Sequence, residues 1–181
     1  MTIATKQLNV VKYILNKSIL SDNIIELILI EYWNFLPKQL ILLNWIDINN
    51  LNWSSLCENT NAVNLLLKNI DKIDWNWLSE NSNAISILEN NFDKINWKYL
   101  SKNPKAISIL KNNLDKINWK CLSKNTNAIH LLEQNQDKID WDNLSENINA
   151  IPILKNNKHK INWKTISRNP SIFKIEHMPI I

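Results

Sequence analysis

The chain has 181 residues, a formal net charge of +4 and no glycine. The lack of glycine excludes the Gly-rich phosphate loop, the dinucleotide-binding fingerprint and the Gly-x-Ser-x-Gly nucleophile elbow, because each needs glycine at fixed positions. The charge is too mild for a chain that neutralises nucleic acid along its whole length. The apolar run from Ile24 to Ile30 is interrupted by Glu26 and is shorter than a membrane span. The sequence therefore predicts a soluble, intracellular protein that does not bind membranes.

Residues 1–50 precede the regular part of the sequence. Their apolar spacing predicts three helices, over 6–16, 24–34 and 37–43. We interpret this region as a helical cap that covers the open apolar end of the regular part. The alternative is a separate docking module that exposes Tyr32, Trp33 and Phe35.

A motif of 22 residues repeats through the rest of the chain. Its mark is a tryptophan at an unbroken spacing of 22 residues: Trp53, Trp75, Trp97, Trp119, Trp141 and Trp163. A fixed period in this range indicates a repeat architecture in which neighbouring units share one core. The predicted domain 51–181 consists of units 51–72, 73–94, 95–116, 117–138, 139–160 and a partial sixth, 161–181.

Unit 95–116 illustrates the first helix of each repeat. Asn96 is a strong N-cap type, and the equivalent position holds Asn or Asp in every unit. This predicts a short helix from Trp97 to about Lys102, with the tryptophan filling a core position.

The second half of the unit predicts another short helix. Asn103 followed by Pro104 is typical of an N-cap and a first-turn proline, so we expect the helix to begin at 104. A small alanine, Ala106 in this unit, would let two helix backbones approach closely. Without glycine, Asn112 and Asn113 are the residues expected to end the helix in a left-handed C-cap.

Two positions depart from this pattern. Pro152 lies inside the predicted second helix of its unit, where it should kink the helix or delay its start. In the last unit Ile172 replaces the alanine and Glu176 replaces a core leucine, so we interpret 170–181 as a C-terminal cap.

Together these features predict an all-α solenoid of short helix-turn-helix repeats with a helical N-terminal cap. Helices this short are marginal alone, so burial between neighbouring units must stabilise them. A leucine-rich repeat has a similar period and is the alternative fold. Its strand needs alternating leucines, whereas Ile117, Trp119 and Leu122 are spaced two and then three residues apart.

The motifs INWKYLSKNPKAISILKNN and INWKCLSKNTNAIHLLEQN resemble a tandem Trp/Asn-rich repeat of proteins from giant DNA viruses of the mimivirus type. The lead-in LLNWIDINNLNW resembles theirs too, so the resemblance covers nearly the whole chain. It implies a viral repeat scaffold in the host-cell cytoplasm or the virion, with no catalytic residues to carry over. The sequence departs from the motif at Cys57, Pro152 and Lys158-His159.

The sequence predicts no catalytic, cofactor or metal site. His130, His159 and His177 occupy different repeat positions and lack metal-ligand spacing. A column of aspartates has the same surroundings in each unit, which favours turn formation over a catalytic carboxylate pair. The column comprises Asp71, Asp93, Asp115 and Asp137. We therefore expect a non-catalytic protein.

The two positions after each repeat tryptophan vary most between units. Within a constant scaffold, a variable column indicates either a solvated face or a recognition face. The candidate partner-binding residues on and beside it are Asn76, Trp77, Lys98, Tyr99, Lys102, Lys120 and Lys124.

The leading functional hypothesis is a protein-interaction scaffold whose partner is a host or viral protein. Single-stranded nucleic acid is the alternative ligand, because seven lysines and one acid lie between Ile95 and Ala128. The tryptophan column could then serve as a base-stacking platform. A virion or self-assembly component is the third hypothesis, and we expect a monomer or weak oligomer.

Overall fold

The computed structural model describes residues 21, 24–25, 27–29 and 40–174. The chain divides into two compact units, Met1–Leu40 and Ile41–Ile181. The described residues contain short helices and turns and no β-strand. Among them, no helix is both long enough and apolar enough to cross a bilayer.

Little of the N-terminal unit falls within the described residues. Residues 24–25 and 27–29 are helical, inside the predicted second helix. The predicted helix over 6–16 lies outside the described residues, as do Tyr32, Trp33 and Phe35. The third predicted helix does not reach Leu43, because residues 40–43 are not helical. Leu40, Ile41 and Leu43 are largely exposed, so no burial stabilises a helix there.

The repeats consist of paired short α-helices. The first helices are α1 (Trp53–Glu58), α3 (Trp75–Glu80), α5 (Trp97–Leu100), α7 (Trp119–Lys124), α9 (Trp141–Glu146) and α11 (Trp163–Ile166). The second helices are α2 (Val63–Leu67), α4 (Ile85–Glu89), α6 (Ile107–Lys111), α8 (Ile129–Glu133) and α10 (Ile151–Asn156). Single 3₁₀ turns lie at Ile48–Asn50, Ile70–Lys72, Phe92–Lys94, Leu114–Lys116, Gln136–Lys138, Lys158–Lys160 and Pro170–Ile172.

Neighbouring units stack on one another, which confirms the predicted all-α solenoid. Helix α1 packs on α3, α3 on α5, α7 on α9 and α9 on α11. One continuous hydrophobic cluster runs from Cys57 to Ile166. Its fully buried leucines recur at the repeat spacing: Leu66, Leu78, Leu88, Leu100, Leu110, Leu122, Leu132 and Leu144. Each such side chain contributes roughly 1.5–3 kcal/mol through removal of apolar surface from water.

The predicted N-caps of the first helices are confirmed. The Asn96 side chain accepts hydrogen bonds from the backbone N–H groups of Lys98 and Tyr99. The equivalent residues cap their helices in the same way: Asn52, Asp74, Asn118, Asp140 and Asn162.

The predicted start of the second helix was three residues too early. Helix α6 begins at Ile107, with Ala106 at the N-cap and no side-chain cap. The Asn103 Oδ1 instead accepts from the Lys105 N–H at 3.0 Å, which forms a turn around Pro104. Asn103 therefore caps this turn, and the helix itself begins only after Ala106.

The predicted left-handed C-cap was also wrong. No described residue has a positive φ, and Asn113 has φ −141° and ψ 55°. Its Nδ2 donates to the Ile109 carbonyl at 2.8 Å. The side-chain amide thus satisfies a free carbonyl of the last turn, which a left-handed residue would otherwise do through its backbone. The equivalent residues do the same: Asn69, Asn91, Asn135 and Asn157.

Pro152 does not kink its helix. It lies in the first turn of α10, where a backbone N–H has no partner within the helix to lose. Since the second helices begin later than predicted, the proline falls at a tolerated position. Ile172, in the C-terminal unit, is exposed, and Glu176 lies outside the described residues.

Candidate partner-binding cleft

A column of buried asparagines aligns the units. The Asn103 Nδ2 donates to two carbonyl oxygens of the preceding unit, those of Ser79 and Asn81, each at 3.0 Å. The same paired bonds are made by Asn81, Asn125, Asn147 and Asn169. We call this set of five residues the asparagine ladder. Because each amide bridges two units, it fixes their register.

A serine column forms a second link between units. The Ser101 Oγ donates to the Trp97 carbonyl at 2.7 Å and accepts from the Asn118 backbone N–H at 3.0 Å. Ser79, Ser123 and Ser145 make the same pair of bonds. Each serine therefore holds the N-cap residue of the next first helix in place.

Cys57 takes the serine position in the first unit. Its Sγ accepts from the Asp74 backbone N–H at 3.3 Å, and its side chain is fully buried. Burial raises the pKa of the Cys57 thiol above its ordinary value, partly opposed by the hydrogen bond from the Asp74 N–H. Cys57 is a free thiol, as is the half-buried Cys121.

The repeat tryptophans lie at the edge of the core. Trp53, Trp75, Trp97, Trp119 and Trp141 are half-buried and packed against the core, while Trp163 is 68% exposed. A lysine ammonium lies over four of these rings, at 4.6 to 5.1 Å from the ring centre. The four pairs are Lys72–Trp53, Lys116–Trp97, Lys138–Trp119 and Lys160–Trp141. A lysine therefore already lies over one face of each of these four rings.

An open cleft of about 740 Å³ lies along units 95–116 and 117–138 and reaches one residue of the neighbouring unit on each side, Glu80 and Asn143. Four predicted partner-binding residues line it: Lys98, Lys102, Lys120 and Lys124. The remaining lining residues are Glu80, Asn118, Cys121, Asn125 and Asn143. We call this the lysine cleft.

Trp77 and Tyr99 form one edge of the same face. Their rings meet edge to face, with centres 5.4 Å apart. The Lys102 ammonium lies 4.8 Å from the centre of the Tyr99 ring and pairs with Glu80 at 3.1 Å. Trp77 also lines a smaller neighbouring pocket beside Glu58. The aromatic pair is therefore continuous with the lysine cleft.

In three units the residue directly after the tryptophan is hydrogen-bonded to the N-cap residue of the next unit. The Ser54 Oγ donates to Asp74 at 3.0 Å, and the Asn96 amide donates to Asn76 at 2.6 Å. A matching bond joins Asn162 to Asp142 at 2.6 Å. Within the described part of the chain, Lys98 and Lys120 occupy this position without such a bond, so the cleft opens at these two steps.

Carboxylates border the lysine cleft on both sides. Glu146 pairs with Lys124 at 2.9 Å and with Arg168 at 3.2 Å. The bond and charge of Lys124, followed by those of Arg168, lower the pKa of the half-buried Glu146 carboxyl. Glu80 pairs with Lys102 on the other side. Among the described residues, Lys98 and Lys120 are in no ion pair.

The seven central lysines do not form one patch. Lys105 donates to the Asn83 side chain at 2.7 Å, and Lys116 covers Trp97. Lys111 is an exposed residue at the end of α6. Only the other four lysines line the cleft.

Sequence reasoning placed Cys121 and Asn143 in the variable column but did not select them, and it missed Glu80, Asn118 and Asn125 as lining residues. Glu80 carried a signal in the period, because it lies one repeat before Lys102 and pairs with it. The aspartate column is exposed, and Asp93 pairs with the adjacent Lys94 at 3.4 Å. In the described part of the chain, no three His, Cys, Asp or Glu side chains are placed to hold a metal ion.

No family model, curated protein or solved structure matches this chain.

Proposed function

We propose that the protein is a non-catalytic interaction scaffold that binds another protein through the lysine cleft and the adjoining Trp77–Tyr99 pair. One observation carries this proposal. The leucine, alanine and asparagine positions that recur in the stacked units are largely buried, whereas the side chains of Lys98 and Lys120 are exposed and line the same cleft.

The scaffold's rigidity supports this role. The asparagine ladder and the serine column connect successive units, so the backbone that carries the cleft needs little ordering when a partner binds. A preorganised surface keeps more of its contact energy as affinity. The Trp77–Tyr99 pair adds aromatic area next to charged groups, a composition typical of interface hot spots.

Crosslinking at Tyr99 tests the proposal. A photoreactive phenylalanine analogue at position 99 should crosslink a protein in host lysate, and combined K98E and K120E substitutions should remove that product. The matched control carries K111E and K155E, two exposed lysines of the second helices, and should keep the product. If no protein is crosslinked, or the product survives K98E and K120E, the proposal is wrong.

Single-stranded nucleic acid is the second candidate ligand, favoured by the four lysines in one cleft. Such binding should weaken steeply with added salt, because each neutralised phosphate releases counterions. An oligonucleotide titration at two salt concentrations measures this slope. A flat profile, or no binding at low salt, would discard this candidate.

The viral origin and the cytoplasmic or virion location rest on the sequence resemblance alone and are part of the proposal. A virion or self-assembly component is the third candidate. Gel filtration tests it: elution as a monomer over a wide concentration range would count against self-assembly.

A further inference from the structure

We infer that the lysine cleft binds a short acidic segment of the partner protein, extended along the direction in which the units stack. Two of its carboxylates, three residues apart, would form ion pairs with Lys98 and Lys120. This inference rests on the proposed function, since it names the chemistry of the partner at the same cleft.

The charge pattern limits the ligand to a short segment. Lys98 and Lys120 are the unpaired cations of the cleft among the described residues, and Lys102 and Lys124 are already paired with carboxylates. Along the stack, Glu80 lies at one end of the cleft, and Glu146 lies next to Lys124 at the other end. A long polyanion that continued along the stack would meet these acids, whereas a segment with two or three carboxylates ends before them.

The spacing of the two lysines selects the spacing of the carboxylates. Lys98 and Lys120 occupy equivalent positions one unit apart. Packed helices lie about 8–10 Å apart, and a peptide in the polyproline II conformation advances about 3.1 Å per residue with three residues per turn. Three residues of such a peptide therefore span one unit and return to the same side, which places acidic side chains facing the cleft at every third position.

Two asparagines offer hydrogen bonds to the backbone of such a segment. The Asn143 Nδ2 donates to the Lys120 carbonyl at 3.1 Å, which leaves its Oδ1 to accept. The Asn118 Oδ1 accepts from the Cys121 N–H at 3.0 Å, which leaves its Nδ2 to donate. Both side chains line the cleft. They can therefore pair with one backbone N–H and one carbonyl of the segment.

The aromatic groups favour a peptide over single-stranded nucleic acid. Nonspecific single-strand binders stack successive bases on open aromatic faces. Here the Tyr99 and Trp77 rings meet edge to face, and the Lys102 ammonium lies over the Tyr99 ring.

Fluorescence anisotropy with three labelled probes tests the inference. The first is a short Ser/Thr peptide with aspartate at every third position, and the second has the same composition with adjacent aspartates. The third is an oligothymidylate of matching length. We expect the first peptide to bind tightest. K98E with K120E should weaken it at least about tenfold, because reversal replaces two attractions with repulsions. The control with K111E and K155E should not change its affinity.

Three results would overturn the inference: equal binding of the two peptides, tighter binding of the oligonucleotide, or no effect of K98E with K120E. Circular dichroism of each variant verifies that it is folded. The two proposals fail separately. A Tyr99 crosslink that depends on Lys98 and Lys120, without binding of either peptide, would leave the interaction scaffold standing and remove the acidic segment.

Discussion

Asn103 is a buried polar residue whose side chain is fully hydrogen-bonded. Its Nδ2 donates to two carbonyls of the preceding unit, and its Oδ1 accepts from Lys105. An unsatisfied buried polar group costs about 1–3 kcal/mol. The ladder position therefore requires a side chain with this size, two donors and one acceptor, which asparagine alone provides.

Replacement of Asn103 by aspartate keeps the shape and removes both donors. The carboxylate would face the Ser79 and Asn81 carbonyls, so we expect the free energy of unfolding to fall by at least about 3 kcal/mol. Urea denaturation measures this change. The control is N112D at an exposed asparagine of the same unit, which should change the free energy little. Equal effects of N103D and N112D would contradict the role of the ladder.

We expect the thiol of Cys57 to make the free energy of unfolding fall at alkaline pH. Its pKa is raised in the folded protein, chiefly by burial. The thiol's contribution is therefore complete below the unfolded pKa of about 8.5 and is lost as pH rises through the folded pKa. C57S restores the residue of the other units and removes this titration. Between pH 7 and 10 the wild type should lose more free energy of unfolding than C57S, and parallel losses would contradict the assignment.

At the scale of the element, each α-helix of the described repeats has four to six residues. Helices shorter than about 12 residues are marginal in water, so their stability must come from adjacent units. A peptide of residues 95–116 should therefore give a circular dichroism spectrum without helix. A helical spectrum from this peptide in plain buffer would show that the helices form without their neighbours.

The sequence predicted which elements form better than where they begin and end. Asn or Asp before each tryptophan identified the first helices, because side-chain capping is local. Asn103 misled the prediction of the second helix, because its Oδ1 caps a separate turn at Lys105 and the helix begins only at Ile107. Asn113 was assigned a left-handed backbone, although its own side chain caps the helix. Local rules fail where a side chain's partner differs from the usual one.

At the scale of the molecule, stability should grow with the number of units. In a solenoid it is approximately a sum of unit terms and nearest-neighbour interfaces. Insertion of a second copy of residues 95–116 after Lys116 should raise the free energy of unfolding. The denaturant m-value should rise by about one sixth, because it scales with the surface exposed on unfolding. A shuffled insert of the same composition should do neither, and equal effects of both inserts would contradict additive stacking.

The candidate site was partly predictable from the period. Equivalent positions align in a stack, so the variable lysines could be expected on one face. Which of the seven central lysines line the cleft was not predictable, because this depends on which of them contact a tryptophan ring or a side chain of the neighbouring unit instead. Glu80 and Glu146 limit the positive region, and their role can be inferred from the sequence only once the register between units is known.

The most direct test of whether bridging asparagine amides hold the repeats together is to measure hydrogen exchange of the asparagine side chains by NMR. We expect slow exchange of the Nδ2 protons of Asn103, Asn125 and Asn147, because each of these amides is buried and bonded to two carbonyls of the preceding unit. The exposed Asn112 amide should exchange rapidly. Equally rapid exchange at all four residues would contradict the ladder and the stacked architecture built on it.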